Sequence, residues 1–95
     1  MPAHGVDSGT VLSRAPEVIA VHVGEVLVLH DPLGDAYVRL NESGELLWEC
    51  LAEPCSVREL AGVLGDRYGL SAERTLDDAA RLARDLLARG MLAIV

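Results

Sequence analysis

The stretch Tyr37 to Trp48, YVRLNESGELLW, decides the fold. With Ala36 before it, Tyr37-Val38-Arg39-Leu40 is a short β-type run. It stops at Asn41, whose short polar side chain suits a helix N-cap. An amphipathic segment carrying Trp48 follows at once. The chain before this junction reads as strands, and the chain after it as helices.

Upstream lie two aliphatic runs, Val18 to Val23 and Val26 to His30, separated by Gly24-Glu25. A two-residue loop with Gly first suits a type II′ hairpin, because Gly takes positive φ without steric cost. That turn predicts the pairs Val23 with Val26, Val21 with Val28, and Ile19 with His30, which then share one face. Ala20, His22, Leu27 and Leu29 take the other. These last apolar residues offer an outer face for self-association or for docking a partner. Asp31-Pro32-Leu33-Gly34-Asp35 is a turn cluster, after which Ala36 to Leu40 returns as a third antiparallel strand. A five-residue loop that preserves parity puts Ala36, Val38 and Leu40 on the face of Val21 and Val28, with Tyr37 and Arg39 opposite. Residues 1–16 mix Gly, Pro, Ser and charges without periodicity and read as a mobile N-terminal arm. The domain proper is expected over 17–95.

Downstream, a first helix is expected from about Glu42 to Leu51. Leu46, Leu47, Trp48, Cys50 and Leu51 cover more than half its circumference, so it is packed on two sides. Pro54-Cys55 ends it. Ser56 with Glu59 forms a capping box for a second helix, patterned by Val57, Leu60, Ala61, Leu64 and Tyr68 and closed by Gly69. Thr75 with Asp78 resembles a second box, opening a third helix with Leu76, Ala79, Ala80, Ala83, Leu86 and Leu87 on one stripe. Gly90 ends it, and Met91 to Val95 supplies a terminal strand. The predicted class is α+β, an N-terminal three-stranded antiparallel sheet followed by three helices. The capped helix pair and its following strand read as a winged helix-turn-helix.

Composition narrows the function. Ninety-five residues make one small domain, and Phe is absent, so Leu, Val and Ala must fill its core. The formal net charge of -7 opposes binding to phosphate backbones and to anionic membranes. The N-terminus carries no basic region followed by an apolar block, and no run is long enough to span a bilayer, so the expected location is cytoplasmic. Cys50 and Cys55 match no zinc spacing. They read as reduced thiols, and the sequence implies no metal, no cofactor and no catalysis.

The same residues carry a family pattern. Tyr37 to Gly44, Leu47 to Leu51, Ser56 to Leu60, Tyr68-Gly69, Asp78 with Leu82 and Leu86, and Arg89 to Leu92 occur in an order and spacing that resembles the PqqD-like family. These are leader-peptide recognition domains of ribosomally made, modified peptides. The resemblance covers roughly residues 18 to 95. Leu82 departs from it where an aromatic is frequent, and Gly62 and Gly65 weaken the second helix. It implies that a precursor's leader docks as an added strand against strand three, beside helix three, and is presented to a separate enzyme. The short chain implies a stand-alone member, and the long unstructured N-terminal arm with the Ala/Arg/Leu-rich composition favours the lasso-peptide type, whose partner is a leader protease. The alternatives are a peptide chaperone for a radical-SAM enzyme and a winged-helix DNA-binding regulator.

The physics suits a peptide receptor. Strand three is an edge with no Pro and one charge, Arg39, open to another strand. The expected binding residues are Ala36, Tyr37, Val38, Arg39 and Leu40 on that edge. Facing them are Leu76, Ala80, Ala83 and Leu87, an alanine-rich stripe that leaves room for a bulky leader side chain. Asp77, Asp78, Arg81 and Arg84 form the polar rim.

Overall fold

The computed structural model describes residues 6–95. In chain order they form β1 (Val11–Arg14), β2 (Ile19–Val23), β3 (Val26–Asp31), β4 (Ala36–Leu40), α1 (Glu42–Cys50), β5 (Cys55–Ser56), α2 (Val57–Tyr68), α3 (Ala72–Ala88) and β6 (Leu92–Ile94). There are two antiparallel sheets, β2-β3-β4 and β5-β1-β6.

The first hairpin follows its turn. Gly24 sits at φ 64, and Val23 pairs Val26, Val21 pairs Val28, and Ile19 pairs His30. The faces of the sheet differ sharply. Leu27 and Leu29 are buried, whereas Ile19, Val21 and Val23 are exposed. Leu27 and Leu29 therefore face the core, which corrects their expected place on an outer, associating surface. Ala20, on the same side, is exposed with the rest of β2.

The parity of β4 also differs from expectation. Leu40 pairs Leu27, Val38 pairs Leu29, and Ala36 pairs Asp31. Ala36, Val38 and Leu40 thus share the core-facing side with Leu29, not the side of Val21 and Val28. The cause is local. Asp31 Oδ1 accepts a hydrogen bond from Leu33 N at 3.1 Å, an Asx turn that keeps Asp31 as the last residue of β3. The loop is left with four residues. Asp35 closes it at φ 53, a left-handed conformation that Asp tolerates.

The N-terminal segment is the largest correction. The expected mobile arm spans 1–16. Residues 1–5 lie outside those described, but Val11–Arg14 is a strand inserted between β5 and β6. Leu12 is fully buried. Thr10 O and Ser8 O accept the backbone N–H groups of Val57 and Arg58. These are donors at the start of α2 that lack partners within the helix. Arg14 Nε donates to Trp48 O at 3.1 Å, and its guanidinium lies 4.7 Å over the Trp48 ring. The segment is part of the domain.

The helices begin and end on chemical signals. Asn41 Oδ1 accepts from Gly44 N at 2.9 Å. Ser56 and Glu59 form the reciprocal box, and Gly69 caps α2 at φ 65. The start of α3 is one turn earlier than Thr75. Ser71 Oγ caps it through Arg74 N at 3.2 Å, and Thr75 is buried with its hydroxyl on Ala72 O. Asp78 is an ion-pairing residue and not a cap partner. Gly90 at φ 77, with Gly90 N on Leu87 O and Met91 N on Leu86 O, turns the chain into β6.

One core joins these elements. Leu12, Leu29, Leu47, Val57, Leu60, Leu86 and Met91 are its most buried large side chains, and Trp48 is among its members.

Candidate functional site

Strand β4 is held from one side only. It pairs with β3 and with no other strand among the described residues. Leu40 is buried, and Ala36 and Val38 are half-buried against the core. Tyr37 and Arg39 point outward and are exposed. Tyr37 stacks on His30 with ring centroids 4.1 Å apart. The inner side chains fix the strand in place while its outer edge keeps its backbone hydrogen-bonding capacity free.

The strand runs straight into α1, and Gly44 sets how closely. A Cβ there would stand 3.2 Å from Leu40 Cδ2 and 3.3 Å from Leu40 Cβ. Glycine lets the first turn of α1 seat on the end of β4 without displacing Leu40 or Asn41.

Beyond that junction opens a cleft of about 790 Å³. Its walls are the first turns of α1 (Asn41 to Gly44), the end of α2 with Leu70, and one flank of α3. Leu47, Leu64, Leu70 and Leu82 give it an apolar lining, and Glu42, Arg74, Asp78, Arg81 and Asp85 give it charge. The charges are mutually engaged. Arg81 pairs with Asp77 and, at 3.5 Å, with Asp78. Arg74 lies 3.8 Å from Asp78. Glu42 accepts from Arg67 at 3.3 Å and from the Tyr68 hydroxyl at 3.2 Å. Desolvation, then the Glu42 charge and hydrogen bond, push the Tyr68 phenol pKa up, so it stays a neutral donor. Such a cleft suits a chain segment with one apolar side chain and polar flanks.

The expected binding residues divide between places. Ala36 to Leu40 form the free edge. Of the expected α3 residues, Asp78 and Arg81 of the polar rim line the cleft. Leu76, Ala80 and Leu87 are half-buried and packed on the core, Ala83 belongs to the core, and Asp77 and Arg84 are exposed. The buried line of α3 runs through Thr75, Ala79, Ala83 and Leu86. At 100° per residue, Leu76, Ala80 and Leu87 fall on one flank of that line and Asp78, Leu82 and Asp85 on the other. The cleft uses the second flank. Gly44, Leu64, Tyr68 and Leu82 were not among the expected site residues. Gly44, Tyr68 and Leu82 do lie within the family pattern, which was the available signal.

Nothing here is arranged for covalent chemistry. Burial, then the charge of Glu49, raises the Cys50 thiol pKa. Burial, then Glu59 and Cys50, raises that of Cys55. A nucleophilic thiol needs the opposite shift. No group of three or more His, Cys, Asp or Glu is placed to hold a metal ion among the described residues.

Comparison with known proteins now bears on this geometry. The family model for coenzyme PQQ synthesis protein D (PqqD) matches residues 26–92. The chain belongs to the PqqD family. The match runs from the start of β3 into β6 and so takes in β4, the cleft and all three helices of this PqqD-family domain. Two solved structures share its fold. One, described as TbiB1 in complex with the TbiA(beta) leader peptide, superposes with a TM-score of 0.76 at 20% identity, covering 84% of this chain and 93% of that one. The other, described as lasso peptide synthetase B1 complexed with the leader peptide, gives 0.75 at 24%, covering 86% and 96%. No curated protein matches the sequence significantly.

Proposed function

We propose that this PqqD-family chain is a non-catalytic adaptor of lasso-peptide biosynthesis. It captures the leader of a ribosomally made precursor by strand addition to β4, beside α3, and presents it to a maturation enzyme, the leader protease. The same reading takes α2, α3 and β6 as a winged helix-turn-helix turned to peptide binding.

The observation that carries this reading is the pairing of a free, core-backed edge at β4 with the partly apolar cleft at its end. Backbone bonds along the edge supply affinity, and the cleft takes an anchor side chain. About five added backbone bonds at a net ~1 kcal/mol, with ~2 kcal/mol per buried anchor, total roughly 9 kcal/mol for two anchors. Ordering the leader costs about 2–5 kcal/mol, which leaves about 4–7 kcal/mol, a Kd from about 1 mM down to roughly 10 μM, tighter as the edge is more preorganised. Both structural relatives are described as leader-peptide complexes, which supports the reading.

Duplex recognition is disfavoured by the same helix. Arg74, Arg81 and Arg89 of the α3 region are each paired with an aspartate, and the net charge is -7. The test is a titration with the leader encoded beside this gene. Saturable binding that Val38→Lys weakens at least tenfold is expected, and absence of saturable binding overturns the proposal. Adding the co-encoded protease, or a radical-SAM enzyme in its place, identifies which one takes up the complex.

A further inference from the structure

The sheet has a second free edge, and its surroundings differ from those of β4. Among the described residues strand β2 pairs only with β3, and all five of its residues are exposed. Ile19, Val21 and Val23 are 50%, 53% and 63% exposed. With Val26 they form an apolar strip on the outer side of the sheet. The strand carries no Pro, no Lys and no carboxylate, the usual devices that blunt an edge.

The other side of β2 has a defined charge. His22 Nε2 lies 2.9 Å from Glu45 Oε2 on α1. Glu45 lines a cleft of about 260 Å³ together with Glu25, Glu42 and Glu49, against one cation, Arg67. Four carboxylates against one guanidinium leave three negative charges uncompensated there. A strand added to β2 would therefore meet valine and isoleucine on one side and carboxylates on the other.

We infer that β2 is a docking edge for a partner protein's strand that alternates apolar side chains with Lys or Arg. A second copy of this chain is disfavoured as occupant, because antiparallel β2–β2 pairing brings two such carboxylate groups, and two chains of charge -7, together. Identifying the partner as the enzyme that receives the captured leader rests on the adaptor reading; the chemistry of the edge does not. Leader and enzyme would then occupy opposite edges of one sheet.

The probe is a capped seven-residue peptide alternating Lys and Val, compared with its Glu/Val counterpart. Amide exchange is followed by NMR at low salt. The Lys/Val peptide is expected to slow the outward-facing amides of β2 at least tenfold, and the Glu/Val peptide to leave them unchanged. Replacing Glu25→Lys and Glu49→Lys, both exposed, leaves two carboxylates against three cations and is expected to reverse that preference. In the same variant the leader still binds β4, which separates failure of this inference from failure of the adaptor reading. If the charge variant does not fold, loss of wild-type protection at 0.5 M salt replaces it. The inference is overturned by equal protection from both peptides, by protection at β4 alone, by no protection, or by β2 protection that rises with protein concentration without peptide.

Discussion

β2 and β4 are the two edges of one sheet, yet they are built for different kinds of contact. β4 has Leu40 in the core, Ala36 and Val38 half-buried, and a helix capped directly at its end by Asn41. β2 has no buried residue at all. An edge backed by the core is rigid before anything binds, so a docking peptide bears most of the ordering cost alone. The two proposed occupants follow this difference: a flexible leader at β4 and a strand of a partner protein at β2.

The strongest way to break this contrast is to truncate matched side chains. Leu40→Ala, at a buried site on β4 itself, is expected to cost about 2–5 kcal/mol in urea unfolding. Val21→Ala on β2 should stay within about 0.5 kcal/mol. Equal costs would mean that both edges rest on the core alike.

Gly44→Ala sharpens the comparison at the end of β4. The added methyl meets Leu40 and Asn41 at 3.2–3.3 Å, so a loss of about 1–3 kcal/mol is expected. The effect should also appear as shifted NMR resonances for Leu40 and the cleft residues, with β2 undisturbed. A smaller effect of opposite sign belongs to Gly62→Ala. Nothing lies within 4 Å of a Cβ there, and the site is an exposed helix interior, so a gain of about 0.5–1 kcal/mol is expected in thermal unfolding.

The smallest effect concerns pH. The backbone and side-chain hydrogen bonds of Ser56 lower the Glu59 pKa in the folded state. The contribution of the capping box is therefore complete above the unfolded value of about 4.3 and fades as pH falls through the lower folded value. Glu59→Gln should flatten that part of the stability profile, and an unchanged slope would remove the box from the account.

What the sequence made legible were local signals. Gly24 fixed the hairpin register, and Asn41, Ser56, Gly69 and Gly90 marked helix ends through their own backbone chemistry. What it hid depended on distant partners. Val11–Arg14 has no alternation to reveal a strand, and it is one because distant segments pair with it: Leu12 lies opposite Cys55 of β5 and Ile94 of β6, 43 and 82 residues away in the chain. The facing of β4 turned on a single residue, Asp31, which serves equally well as a loop start or a strand end until its Asx turn is seen. On α3 the buried line was readable, but the flank that meets the cleft depends on how the helix is rotated against α1 and α2. That is why Leu76, Ala80 and Leu87 were expected where Leu82 and Asp85 are found, beside the expected Asp78 and Arg81.

Strand addition at β4 is tested most directly by NMR amide exchange on the chain with and without a leader peptide from a neighbouring precursor gene. Strand addition predicts at least tenfold slower exchange for the outward-facing amides of β4, with shifted resonances for Gly44 and Leu82 and no protection of β2. Saturable leader binding that protects β2 and leaves β4 unchanged would contradict it.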